Sequence, residues 1–163
     1  MKSTATPDAA NAVIRGDFTQ LDLHRAGAAL LRIALGIMFI AHSVVLKYFT
    51  FTLGGTAQYF ASIGLPSSLA YVVFALETVG GVLLVLGIRT RWVALGLVPV
   101  LIGATWAHLG NGWVFNAPNG GWEYPLFLIV ISLVVALQAG KSGKWGHSSF
   151  PRTRSGIAQK AGK

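Results

Sequence analysis

The chain of 163 residues has no cysteine, only two methionines and only five acidic residues. Without cysteine there is no disulfide, no iron–sulfur ligation and no thiol chemistry, so any redox role must use a bound cofactor or substrate. Charge of either sign is scarce: 11% of residues are charged, against 53% hydrophobic. A soluble domain of this length hides one core behind a surface rich in charge, with about a quarter of its residues charged. Here whole stretches of about 20 residues lack charge, the length an α-helix needs to cross about 30 Å of hydrocarbon. The composition implies an all-α integral membrane protein, a single bundle in contact with the lipid bilayer.

Four segments qualify as spans: 26–46, 69–88, 92–109 and 121–139. Their ends carry helix punctuation. Ser67 and Ser68 after Pro66 are placed to cap the second, Pro125 falls in the first turn of the fourth, and Gly140 is placed to close it. Pro99 lies inside the third span and is expected to kink it, which membrane helices tolerate because neighbours re-satisfy the freed carbonyl.

The basic residues set the expected orientation. Of 13 Lys and Arg, all but Arg32 and Lys47 fall before span one, between spans two and three, or after span four. The positive-inside rule then places both termini in the cytoplasm. Residues 1–25 read as a cytoplasmic N-terminal segment. They carry Asp8, Asp17 and Asp22 with no apolar h-region, so they are no signal peptide. Residues 26–140 form the four-helix domain, and 141–163 a solvated basic tail that holds topology or meets anionic lipid. The net charge of +8 does not point to nucleic acid, because no basic motif interleaved with base-stacking aromatics accompanies it.

The first outer connection holds Tyr59, Phe60 and Ile63 at helical spacing after Gly54-Gly55, which suggests a short amphipathic helix at the outer interface. The second, 110–120, is rich in Gly, Asn and aromatics, and Trp106, Trp113 and Trp122 around it fit an interfacial belt.

The most informative residue is Glu77, a carboxylate within an otherwise uncharged span. An ionisable group at that depth marks a candidate functional site. Gly80 and Gly81 share its helical face, so it points at protein or a cavity. At 1.5 Å per residue, His42 lies roughly 6 Å below the outer end of span one and Glu77 roughly 12 Å below that of span two. His108, Lys47 and Glu123 stand at the same side. Two histidines, two carboxylates and a lysine suit proton transfer or the holding of a polar headgroup. Arg32 is nearer the inner end and able to snorkel. A purely structural account of Glu77 is a paired or protonated carboxyl that ties two helices together. Paired histidines are also haem-ligand types, but no other feature supports haem, and no metal site is assigned.

These residues resemble the DoxX family of small four-helix membrane proteins. The likeness runs from Leu31 to Gly140. It rests on Leu31-Arg32-Ile33-Ala34-Leu35-Gly36, His42 with Lys47, the stretch from Phe60 to Pro66, Glu77 with Gly80-Gly81, Leu86-Gly87, Arg89-Thr90-Arg91, His108, and Gly120-Gly121-Trp122-Glu123-Tyr124-Pro125. One departure is His42-Ser43, where the family often reads His-Gly. The resemblance implies a place in the bacterial inner membrane and a redox setting, either a quinone-like molecule held in the outer half of the bundle or a membrane subunit of a quinone-linked oxidoreductase complex. On that expectation Glu77 and His42 are the catalytic pair, and Arg32, Lys47, His108, Glu123, Trp122 and Tyr124 help to hold the substrate. Two further readings stand beside it: a transporter of protons or a small solute, and a non-catalytic scaffold for oxidoreductase partner proteins. Four short helices bury little area, so an oligomer is compatible with all three.

Overall fold

A computed structural model describes residues 7–141, and every regular element among them is helical. Helix α1 spans Pro7–Ile40 and runs on into a π-helix, Ala41–Thr50. Helices α2 (Leu53–Ser62), α3 (Ser68–Leu86) and α4 (Thr90–His108) follow, then a 3-10 turn at Leu109–Asn111 and α5 (Glu123–Lys141). Four stretches are long and apolar enough to cross a membrane: Asp22–Thr50, Ser68–Leu86, Thr90–Asn111 and Glu123–Gly140. The four expected spans are therefore present, and the short helix expected between the first two is α2. Residues 1–6, and the basic tail beyond Lys141, lie outside the described residues.

The spanning helices pack in a ring, α1 on α3 and α5, and α4 on α3 and α5, while α2 rests on α3 and the π segment. Leu35 and Phe39 of α1, Leu84 of α3, Leu97 and Leu101 of α4, and Leu128 and Val135 of α5 fill the interior. The outside is as apolar as the inside: Leu30 is 70% exposed and Leu137 71%. Such a surface is stable only in hydrocarbon, where no hydrophobic drive holds helices together and close packing must do so.

Glycine supplies that closeness between α1 and α3. A Cβ built on Gly36 would lie 2.7 Å from Gly81 O, and one built on Gly81 would lie 2.8 Å from Gly36 O. The two backbones touch at their crossing, and no side chain fits on either. Since Gly81 is one turn from Glu77, this crossing also turns Glu77 toward α1.

The helix ends differ from expectation in two places. Neither Ser67 nor Ser68 caps α3; Ser67 makes no side-chain capping bond, and the first N–H groups go to backbone instead, Leu69 N–H to Pro66 O at 3.0 Å and Ala70 N–H to Ser67 O at 3.2 Å. Gly140 lies inside α5 rather than ending it. The far end of α3 is a Schellman turn. Gly87 takes φ 77°, Ile88 N–H donates to Leu83 O at 2.9 Å and Gly87 N–H to Leu84 O at 3.1 Å.

Gly81→Val forces apart two backbones that nothing can cushion. The expected loss is about 1–3 kcal/mol, typical of overpacking, read as a lower unfolding temperature in detergent. Gly96→Ala, where an added Cβ meets nothing within 4 Å, is expected to leave that temperature unchanged.

Candidate functional site

The site begins with the π segment. Its bonding pattern shows at the end, where Phe51 N–H donates to Leu46 O, five residues back, at 2.8 Å. Where a helix changes from i−4 to i−5 bonding, carbonyls lose their usual partners, and side chains satisfy them here. His42 Nδ1–H donates to Met38 O at 3.0 Å, and Ser43 Oγ–H lies 2.9 Å from Phe39 O and 3.1 Å from Ile40 O. Ser43 is fully buried. The departure from the family's His-Gly thus places a hydroxyl against carbonyls at the junction.

The π turn has a consequence for the site. Residues five apart stand about 140° from one another around an α-helix, but roughly one above the other when bonds close from i to i+5. His42 and Lys47 are five apart, and both line one cavity.

That cavity, of about 850 Å³, occupies the α2 end of the bundle and is walled mostly by apolar side chains. Ligand sites in proteins commonly enclose about 300–1,000 Å³ with a few placed polar groups. Its polar groups are His42, Lys47, Thr56, Tyr59, Glu77, His108, Asn119 and Tyr124. Glu77, only 6% exposed, accepts a 2.5 Å hydrogen bond at Oε2 from Lys47 Nζ. A carboxylate and an ammonium removed from water each lose several kcal/mol of hydration, which close pairing offsets. The paired carboxyl tying two helices is therefore what the structure contains, and it stands on a cavity wall.

Two histidines line the same cavity as the pair. His42 stacks on Tyr124, ring centroids 5.3 Å apart and planes 19° from parallel. Because a carbonyl only accepts, the bond to Met38 O puts a proton on Nδ1 and leaves Nε2 for another partner. His108 is held in the same way, Nδ1–H to Gly120 O at 3.1 Å, while Asn111 Nδ2–H groups donate to Asn119 O at 3.0 Å and Gly120 O at 2.9 Å. The Tyr124 hydroxyl is buried without a hydrogen-bond partner, a donor left over beside His42.

Three expected site residues lie elsewhere. Arg32 reaches the other end of α3, where its Nη1 donates to Leu84 O and, at 2.9 Å, to Val85 O, binding terminal carbonyls of the helix. Glu123 orders the second connection: its Oε2 accepts from Phe115 N–H at 3.3 Å while its own N–H donates to Trp113 O at 3.0 Å. Trp122 packs edge-on against Trp113 at 4.4 Å. None of the three lines the cavity.

Thr56 and Asn119 were not singled out from the sequence, and Ser43 was noted only as a departure from the family pattern. Ser43 had a signal, its departure from glycine; Thr56, buried in α2, and Asn119 had none. Among the described residues no three His, Asp or Glu side chains gather as a metal site would require.

A ring of four apolar helices around a cavity with an ion pair on its wall defines a small multi-pass membrane protein. The chain belongs to the DoxX family, whose model matches residues 27–110. It is 47% identical over 116 residues, 71% of this chain and 81% of the relative, to the Bacillus subtilis (strain 168) protein named "Putative oxidoreductase CatD". No solved structure matches it.

Lys47→Met strands a buried carboxylate and is expected to cost about 3–5 kcal/mol. Adding Glu77→Leu removes the stranded charge and is expected to restore most of that stability. A thermal-unfolding cycle on the wild type, both single variants and the double variant checks the coupling.

Proposed function

We propose that this DoxX protein is a redox-associated protein of the bacterial inner membrane that holds a quinone-type headgroup in the cavity. The observation that carries this reading is the Lys47–Glu77 pair, with its carboxylate buried, on the wall of a largely apolar space of about 850 Å³. A quinone headgroup is flat, apolar on its faces and polar at two oxygens, so it suits a space of that character. Interconversion of quinone and hydroquinone moves two protons with two electrons. Glu77, with Lys47 beside it, and His42, through its free Nε2, are the groups able to exchange those protons with the ring oxygens. His42 and Tyr124 offer stacked flat faces next to them. His108 lines the way toward the second connection. The electrons come from or pass to an oxidoreductase partner protein, which makes this chain a membrane subunit. The name carried by the Bacillus subtilis relative favours a redox setting.

Both termini lie in the cytoplasm, a reading supported by the placement of nearly all Lys and Arg at one end of the spans. The cavity then opens in the outer half of the membrane. Single cysteines test this cleanly because the chain has none. Asn116→Cys is expected to react with a membrane-impermeant maleimide on intact cells, and Arg91→Cys only after the membrane is opened; the reverse pattern inverts the topology.

Glu77→Gln keeps the shape of the side chain and removes its proton exchange. In membranes supplied with the natural electron donor, quinone-dependent turnover is expected to fall at least about 100-fold, the scale of a lost general acid–base group, while the folded bundle persists. Unaltered turnover removes Glu77 from the chemistry.

A further inference from the structure

Helices α3 and α4 do not stay together along their length. At Gly80 and Leu97, well inside both helices, they touch: a Cβ built on Gly80 would lie 2.9 Å from Leu97 Cδ1. On that same flank of α3, one and two turns toward the α2 end, stand Leu76 and Val72. They line the cavity and are 48% and 51% exposed. On α4, Pro99 and Gly103 also line the cavity, both are exposed, and a side chain added at Gly103 would meet nothing within 4 Å.

These four residues lie on stripes that form the outer surface elsewhere. Val79, one turn from Leu76, is 58% exposed, and Gly96, seven residues before Gly103, borders open space without lining the cavity. The cavity thus extends from the interior out to the lipid-facing edges of α3 and α4. The ion pair and His42 lie on the α1 side: Glu77 shares the flank of α3 that Gly81 presses against α1, and Lys47 and His42 come from the π segment. A molecule occupying the whole space has its polar end toward α1 and its apolar end in the α3–α4 gap.

We infer that the ligand enters sideways from the bilayer between α3 and α4, and that an apolar tail remains in the gap while the headgroup reaches Lys47 and Glu77. The ligand class is a membrane-dissolved headgroup with a long hydrocarbon tail. This inference rests on the proposed quinone-type headgroup and adds the tail and the route. An opening within an apolar span meets hydrocarbon, so a tail crossing it never leaves an apolar surrounding.

Gly103→Trp places a bulky side chain where the backbone has room for it, and Leu76→Trp narrows the gap from the facing helix. Gly96→Trp, on the same stripe as Gly103 but away from the cavity, is the control. The full chain in lipid nanodiscs is titrated with a benzoquinone bearing a decyl tail and with the same dimethoxy-methyl ring without a tail. The expected result is at least a tenfold loss of affinity for the tailed quinone in Gly103→Trp and Leu76→Trp, with tail-less binding within twofold of wild type and Gly96→Trp unaffected. Equal effects on both quinones, or none on the tailed one, overturn the lateral route while the headgroup site stands. Wild-type protein that binds neither quinone overturns the headgroup reading and the route with it.

Discussion

The Lys47–Glu77 ion pair is the contact on which the α2 end of the molecule depends. Two charges drawn from water into an apolar bundle are stable only if they meet closely, and these meet at 2.5 Å. Two backbone devices bring them together. Gly36 and Gly81 let α1 and α3 touch, which turns Glu77 inward. The π-helix then sets Lys47 and His42 on a shared wall. An α-helix through the same residues would separate them by about 140°, leaving the lysine or the histidine away from the cavity.

Much of this architecture was legible from the chain. Long uncharged runs define the spans, since hydrocarbon tolerates nothing else over that length, and the spacing of Tyr59, Phe60 and Ile63 anticipated α2. The inward direction of Glu77 followed from Gly80 and Gly81 on its face. The π segment was not legible, because nothing in the periodicity of residues 41–50 separates i−5 from i−4 bonding. Depth counting placed Glu123 near the site, but depth says nothing about direction around the helix, and Glu123 turns to Phe115 N–H in the neighbouring loop. Arg32 matched the family pattern and proved to bind the carbonyls at the end of α3. A recurring residue in a family motif marks a role without saying whether the role is chemical or architectural.

Polarity is distributed across the cavity with a direction. The ion pair, the His42–Tyr124 stack and His108 supply hydrogen-bonding atoms, whereas Val72 and Leu76 of α3 with Pro99 and Gly103 of α4 form an apolar side that reaches the surface. In a soluble protein such a surface would be an aggregation hazard. In a membrane it is a route, since the solvent outside matches the wall inside. The same helices that hold the bundle in lipid thus also give lipid-dissolved molecules a way to its polar centre.

The most direct measurement of the central claim is photolabelling with an azido-quinone in native membranes, followed by mapping of the modified peptides. The account predicts labels on cavity-lining segments of the π-helix, α4 and α5, around Lys47, Ala104 and Tyr124, with competition by unlabelled quinone. Labelling confined to outward residues such as Leu30 and Leu137, or unaffected by competitor, would contradict it.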